Sequence, residues 1–189
     1  MSKAKAFVPR IGLLIAASLA VAVPVALAHG HRRHSHRPVS HSARGADSRY
    51  SAWDEEYLKT SIEGDRFEIQ GGNLAQQRGT NDAVRNLGAR LVKDHTQSLA
   101  EAIDVAQRLG IEVPSSPSPS EQWELATLGW FQGNDFNNRY SSLEVNDHQQ
   151  DIQETQDEID KGSNSEVRNL ASQDLPMLQE HLRLSQDAL

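Results

Sequence analysis

Apolar residues fall along this chain in two patterns. Between Ile11 and Ala28 they form one uncharged run. From Ser51 onward they recur at spacings of three and four, which collects them on one face of an α-helix. A first helix should open at Ser51, with Asp54 three residues on as a capping box, and run to about Arg78. Its apolar positions are Trp53, Tyr57, Ile62, Ile69 and Leu74. Gly79-Thr80-Asn81-Asp82 reads as a turn and cap. A second stripe follows through Val84, Gly88, Leu91, His95, Leu99, Ala102, Ala106 and Leu109, and Gly110 closes it. Pro114 to Ser120 reads as a loop and Glu121 to Phe131 as a short helix, broken at Gly133-Asn134-Asp135. A third long helix, starting near Asp135 and ending near Lys161, is unusually polar. Phe136, Tyr140, Leu143, Ile152 and Ile159 are nearly its whole apolar content. The last helix carries Val167, Leu170, Ala171, Leu178, His181 and Leu182, and Pro176 should kink it.

The segment from Gly79 to Leu87 recurs as Gly162 to Leu170, with six of nine positions identical. Each copy is a tight turn opening the second helix of a hairpin. Residues 50–189 therefore read as an all-α, antiparallel four-helix bundle made of two helical hairpins, with an extra short helix before the third long one. Gly71-Gly72 interrupts the first helix at roughly 1 kcal/mol per glycine, which close helix packing would explain.

The uncharged run adds an address. Lys3, Lys5 and Arg10 precede it, and it ends in Ala26-Leu27-Ala28 just after Pro24. This is the layout of a secretory leader cleaved after Ala28; the other reading is an uncleaved membrane anchor. An exported protein, periplasmic or extracellular, is expected. Residues 29–49 are rich in His and Arg, lack periodicity and should be disordered. The first 49 residues carry eight Lys and Arg against one acid, while the remainder carries 11 against 25. An acidic bundle is a poor nucleic-acid binder. The basic stretch suits an anionic membrane surface or the chain's own acidic bundle. With no cysteine, packing alone must hold the fold. No nucleotide or organic cofactor is indicated, and neither a partner nor an oligomeric state is legible.

Three histidines remain beyond the tail, one on each of three long helices: His95, His148 and His181. The first helix offers Glu68 instead. Counting 1.5 Å per residue from the turns puts all four roughly 17–28 Å from the same end of the bundle. Glu144, four residues before His148, shares its face. Glu68, His95, Glu144, His148 and His181 are thus candidate ligands for a divalent zinc, iron or manganese ion. Asp94 or Asp147 could orient a ligand imidazole only by reaching across. The alternative is a hydrogen-bonded polar layer that fixes helix register. A second candidate lies in the tail. Cleavage after Ala28 would leave His29-Gly30-His31 as an N-terminus suited to Cu(II) or Ni(II), with His34, His36 and His41 as further ligands.

Several of these segments also resemble a bacterial exported family of unknown function whose members are described as membrane or outer-membrane proteins. Gly64-Asp65-Arg66-Phe67-Glu68-Ile69 with Gly72-Asn73-Leu74-Ala75 is similar to its first-helix pattern, and Lys93-Asp94-His95-Thr96 to its second. Phe136-x3-Tyr140 followed by Val145-Asn146-Asp147-His148-Gln149 is similar to its third, and Leu175 to Leu182 to its last. The resemblance implies a ferritin-like bundle and brings no activity. Two departures from ferritin-like di-iron proteins matter. Val92, Val145 and Leu178 stand three residues before the histidines, so no Glu-x-x-His exists. Gln70 stands where the resembled family has a second glutamate. Ferroxidase or oxygenase chemistry is therefore not expected, and no nucleophile elbow, P-loop or zinc-protease motif is present. The chain reads first as a non-catalytic envelope protein with an interaction or stress-protective role. The alternative is a protein that binds Zn, Fe or Cu through the mid-bundle cluster, the tail, or both.

Overall fold

The computed structural model describes residues 49–189. The expected leader and the candidate tail ligands His29, His31, His34 and His36 lie outside the described residues. Within them, regular structure is entirely helical: α1 (Ala52–Arg78), α2 (Asp82–Leu109), α3 (Pro119–Leu128), α4 (Gly133–Lys161) and α5 (Ser165–Asp187). Among these helices α1 packs lengthwise on α2 and α4 on α5; the pairs meet through α2 with α5 and α1 with α4, and α3 lies against α1 and α4. No helix among the described residues is long and apolar enough to cross a membrane.

Local chemistry sets the ends. Ser51 and Asp54 form the capping box of α1, and Asn81 and Asn164 cap α2 and α5 through their side-chain oxygens. The repeated turns share more than sequence. Gly79 and Gly162 adopt nearly the same backbone, φ −57° with ψ 129° and 145°. Arg85 and Arg168 each donate to the carbonyl of their turn glycine at 2.7 Å. The duplicated residues thus do duplicated work, closing one hairpin each.

Three expectations need adjusting. The short helix starts at Pro119 and ends at Leu128, not Glu121 to Phe131, because Ser118 and Glu121 form a second capping box with Pro119 in the first turn. Helix α4 begins at Gly133, two residues early, where φ +60° suits glycine. Trp53 is 46% exposed, not part of the core, and Lys161 lies over its ring. Helix α5 runs on through Pro176.

The buried apolar side chains form two clusters. One gathers Leu58, Ile62, Ala102, Ala106, Val167 and Ala171. The other gathers Phe67, Ala75, Val84, Leu91, Phe136 and Tyr140. Along α1, α2 and α5 the buried residues separating them are polar apart from Leu178: Asp65, His95, Ser98, Asp174 and His181. The interior is therefore apolar, then polar, then apolar, and the polar section holds the chemistry.

Candidate metal centre

The polar section is assembled from all four long helices. Glu68 comes from α1, His95 from α2, Glu144 and His148 from α4, and His181 from α5. Four of these five are fully buried, and His95 is 2% exposed. The ring centroids of His95, His148 and His181 lie 5.0 to 5.8 Å apart. One ligand atom from each of the three lies within 4.8 Å of the others. Glu68, Glu144 and His148 form a second triad within the same 4.8 Å. The five candidate residues are thus two triads hinged at His148, rather than one ring around a point.

The hydrogen bonds sort the six ring nitrogens. Nδ1 of His95 lies 2.8 Å from Asp65 Oδ1 and donates to it when Asp65 is ionised, a form that burial of Asp65 opposes. Nδ1 of His148 donates to the Glu144 backbone carbonyl at 2.9 Å. Nε2 of His181 donates to Asp94 Oδ2 at 3.0 Å. In a neutral imidazole the other nitrogen then carries a lone pair. Those nitrogens, His95 Nε2, His148 Nε2 and His181 Nδ1, are buried with no hydrogen-bond partner among the described residues. So are both carboxyl oxygens of Glu68 and of Glu144. Seven buried polar atoms without partners would cost on the order of 1–3 kcal/mol each. Glu68 and Glu144, close enough to share a proton, satisfy each other in part; the three imidazole nitrogens are what a self-satisfied polar layer would not leave over.

Electrostatics point the same way. Burial pushes the imidazoles down, His95 to about 4, His148 to about 3 and His181 to about 4. The other rings add to this for His148, and Asp94 works against it for His181. All three are therefore neutral, with lone pairs available, at neutral pH. Burial pushes Glu144 up to about 8, and burial with the charges of Glu144 and Asp147 pushes Glu68 well above the carboxylate range. Two acids held as protonated groups beside three free imidazole nitrogens make a neutral cluster that a cation can enter by displacing protons.

One orienting residue, Asp65, escaped the sequence reading, and a second, Asp94, orients a ring in the one way that reading allowed it, by reaching across to another helix. Asp65, 4% exposed, holds His95. It continues the stripe Leu58, Ile62, Asp65, so its spacing was the available signal. Asp94 sits one residue from His95 and on a different side of α2, yet it serves His181 of α5. Burial would raise Asp94, but the bonds from Arg90 and His181 outweigh it and hold the carboxyl below its ordinary value. Asp147 does not orient a ring; burial raises it to about 6.

With this geometry in hand, comparisons place the chain. The crystal structure of a DUF305 fragment from Deinococcus radiodurans matches with a TM-score of 0.61 at 16% identity, over 73% of this chain and 95% of that one. Such a likeness carries the fold alone. None of the curated proteins matches. Residues 39–187 match the family model described as Domain of unknown function (DUF4142). That match takes in all five helices of the described residues, and the chain belongs to the DUF4142 family.

Proposed function

We propose that this protein holds one divalent transition-metal ion, of the zinc, copper or iron class, at His95, His148 and His181 inside a ferritin-like four-helix bundle. The observation that carries it is the pairing of roles on each ring, one nitrogen oriented by a hydrogen bond and the other buried without a partner, in three rings that each bring a nitrogen within 4.8 Å of the others. That division is how proteins prepare ligand imidazoles. Donors around a tetrahedral ion with bonds near 2.05 Å sit about 3.4 Å apart, so small side-chain shifts would close the triad. Glu68 or Glu144, both beside His148, supplies a fourth, anionic ligand. The set lacks the paired Glu-x-x-His of di-iron sites. The reading is of binding, and the cleft that reaches His95, at about 40 Å³, has room for an ion. Export through the leader at residues 1–28 is part of the same proposal. No described residue carries the interaction or stress-protective role that the sequence placed first.

Metal analysis of the full chain, purified without an affinity tag and with His29, His31, His34, His36 and His41 replaced by alanine, tests this directly. About one metal ion per chain is expected, and His95→Ala and His148→Ala should each remove it. A metal-free protein whose melting is unmoved by zinc, copper or iron would end the proposal. Asp65→Asn should leave the ligands in place but weaken zinc binding by roughly 10- to 100-fold, read by competition with a chelator, since it replaces the carboxyl group that orients His95.

A further inference from the structure

The centre is closed off, and how an ion reaches it is written in the residues next to it. A cleft of about 40 Å³ opens beside His95, between α1, α2, α4 and α5. His95 lines it; His148 and His181 do not. Four acids line it as well: Asp65, Asp151, Glu154 and Asp174. No lysine or arginine does, among the described residues. Asp65 and Asp174 are 4% and 8% exposed, and Asp151 and Glu154 are half-buried. The acids therefore run from the rim to the wall of the centre. Asp65 is the innermost. One of its oxygens holds His95, and the other is buried without a partner.

We infer that this cleft is the entry route for the metal: a path whose acids collect a divalent cation from solvent and pass it by way of Asp65 and His95 to the three imidazoles. The inference rests on the three-imidazole site proposed above. Size and charge both restrict what can pass. The volume is room for about three waters, so a bare or partly hydrated ion fits and a chelated ion or organic molecule does not. Carboxylates in a low-dielectric cleft focus the field, and such focusing raises cation arrival rates by roughly 10- to 1,000-fold, with a steep dependence on salt. Burial and the charges of Asp65 and Glu101 push the Asp174 carboxyl up to about 7, so near neutral pH it is partly protonated and gives up its proton as a cation arrives. Its neighbours are acids, and an arriving cation relieves their repulsion. The hydroxyls of Ser61, Ser98 and Thr155 also line the path and can replace water around an ion that sheds its shell.

The test is stopped-flow uptake of Zn²⁺ by the full chain carrying the tail-histidine replacements, followed with a chromophoric chelator. In Asp151→Asn/Asp174→Asn the uptake rate should fall about tenfold at low ionic strength. Final zinc stoichiometry should match the parent, and the rate should lose most of its salt dependence. Ser61→Phe, at the cleft wall, should slow uptake without changing the charge or the salt dependence. Thermal melting of each variant confirms that it is folded. Full uptake at the parental rate and salt dependence in both variants would overturn the route and leave the imidazole site standing. No zinc uptake by the parent would overturn both.

Discussion

Gly88→Val should destabilise the protein by about 3 kcal/mol, while Gly71→Ala should be neutral or stabilising. A Cβ on Gly88 would stand 2.6 Å from the Gly72 carbonyl oxygen and 2.7 Å from Ala75 Cβ. A Cβ on Gly72 would stand 2.6 Å from the Gly88 carbonyl oxygen and 2.8 Å from Val92 Cγ2. The backbones of α1 and α2 touch at this point, and backbone cannot swing aside. The helices would have to part, and the contacts of Ala75 and Leu91 in the adjoining apolar cluster would go with them. Gly71 differs, although it is the next residue. Its Cβ would meet Glu144 Oε1 and Tyr140 at 3.7 Å and Leu125 at 3.8 Å, ordinary contact distances. Alanine there restores up to roughly 1 kcal/mol of helix propensity. Urea denaturation of the two variants reads the contrast. Equal losses at Gly71 and Gly88 would mean that the close approach of the backbones is not what fixes these glycines.

That contrast shows what the sequence could and could not convey. The pair Gly71-Gly72 was legible as a cost within a helix, and close packing as its explanation. Which glycine faces the partner helix depends on the rotation of α1 against α2, which a single stripe does not fix to within one residue. The same limit applies to the centre. The stripes put His95 and His181 inward, and the rise per residue put Glu68 and His148 at their level. Asp65 lies on its stripe too, but an aspartate there reads as a solvated break until a partner is seen. Asp94 is harder. Successive helical residues point about 100° apart, so its service to a ring on α5 needs the α2–α5 packing to be known. The acidic cleft draws on four helices, and no spacing along the chain encodes it. Element bounds failed where capping chemistry lay outside the apolar pattern, as at Ser118 and Pro119.

Asp54→Ala should cost more than either glycine change, about 4 kcal/mol, and the reason lies in how many groups depend on one carboxylate. Oδ2 accepts from the Ser51 amide and hydroxyl, both at 2.6 Å, and from the Ser163 hydroxyl at 2.5 Å. Oδ1 accepts from the amides of Ser163 and Asn164 at 2.8 and 2.9 Å. Asp54 thereby caps its own helix and ties its start to the turn that opens α5. Alanine would strand three amides, each worth on the order of 1 kcal/mol even where water reaches them, and lose the charge-assisted part as well. The dependence on pH has a definite sign. Burial alone would raise Asp54, but the bonds from Ser163, Ser51 and Asn164 outweigh it and hold the carboxyl below its ordinary value. Its contribution is therefore present above the unfolded value, near 3.9, and is lost as pH falls below that. Glu158 beside it behaves oppositely: burial, with the Asp54 charge, raises it to about 8. Its contribution is full below the unfolded value of 4.5 and fades as pH rises toward 8. The junction of α1 with the α4–α5 turn should thus be strongest between these limits, with one negative charge on two carboxyls. Glu158→Gln removes the alkaline loss, so its melting temperature relative to the parent should climb between pH 5 and pH 8. A constant offset across that range would show that Glu158 titrates normally and that Asp54 holds the junction without it.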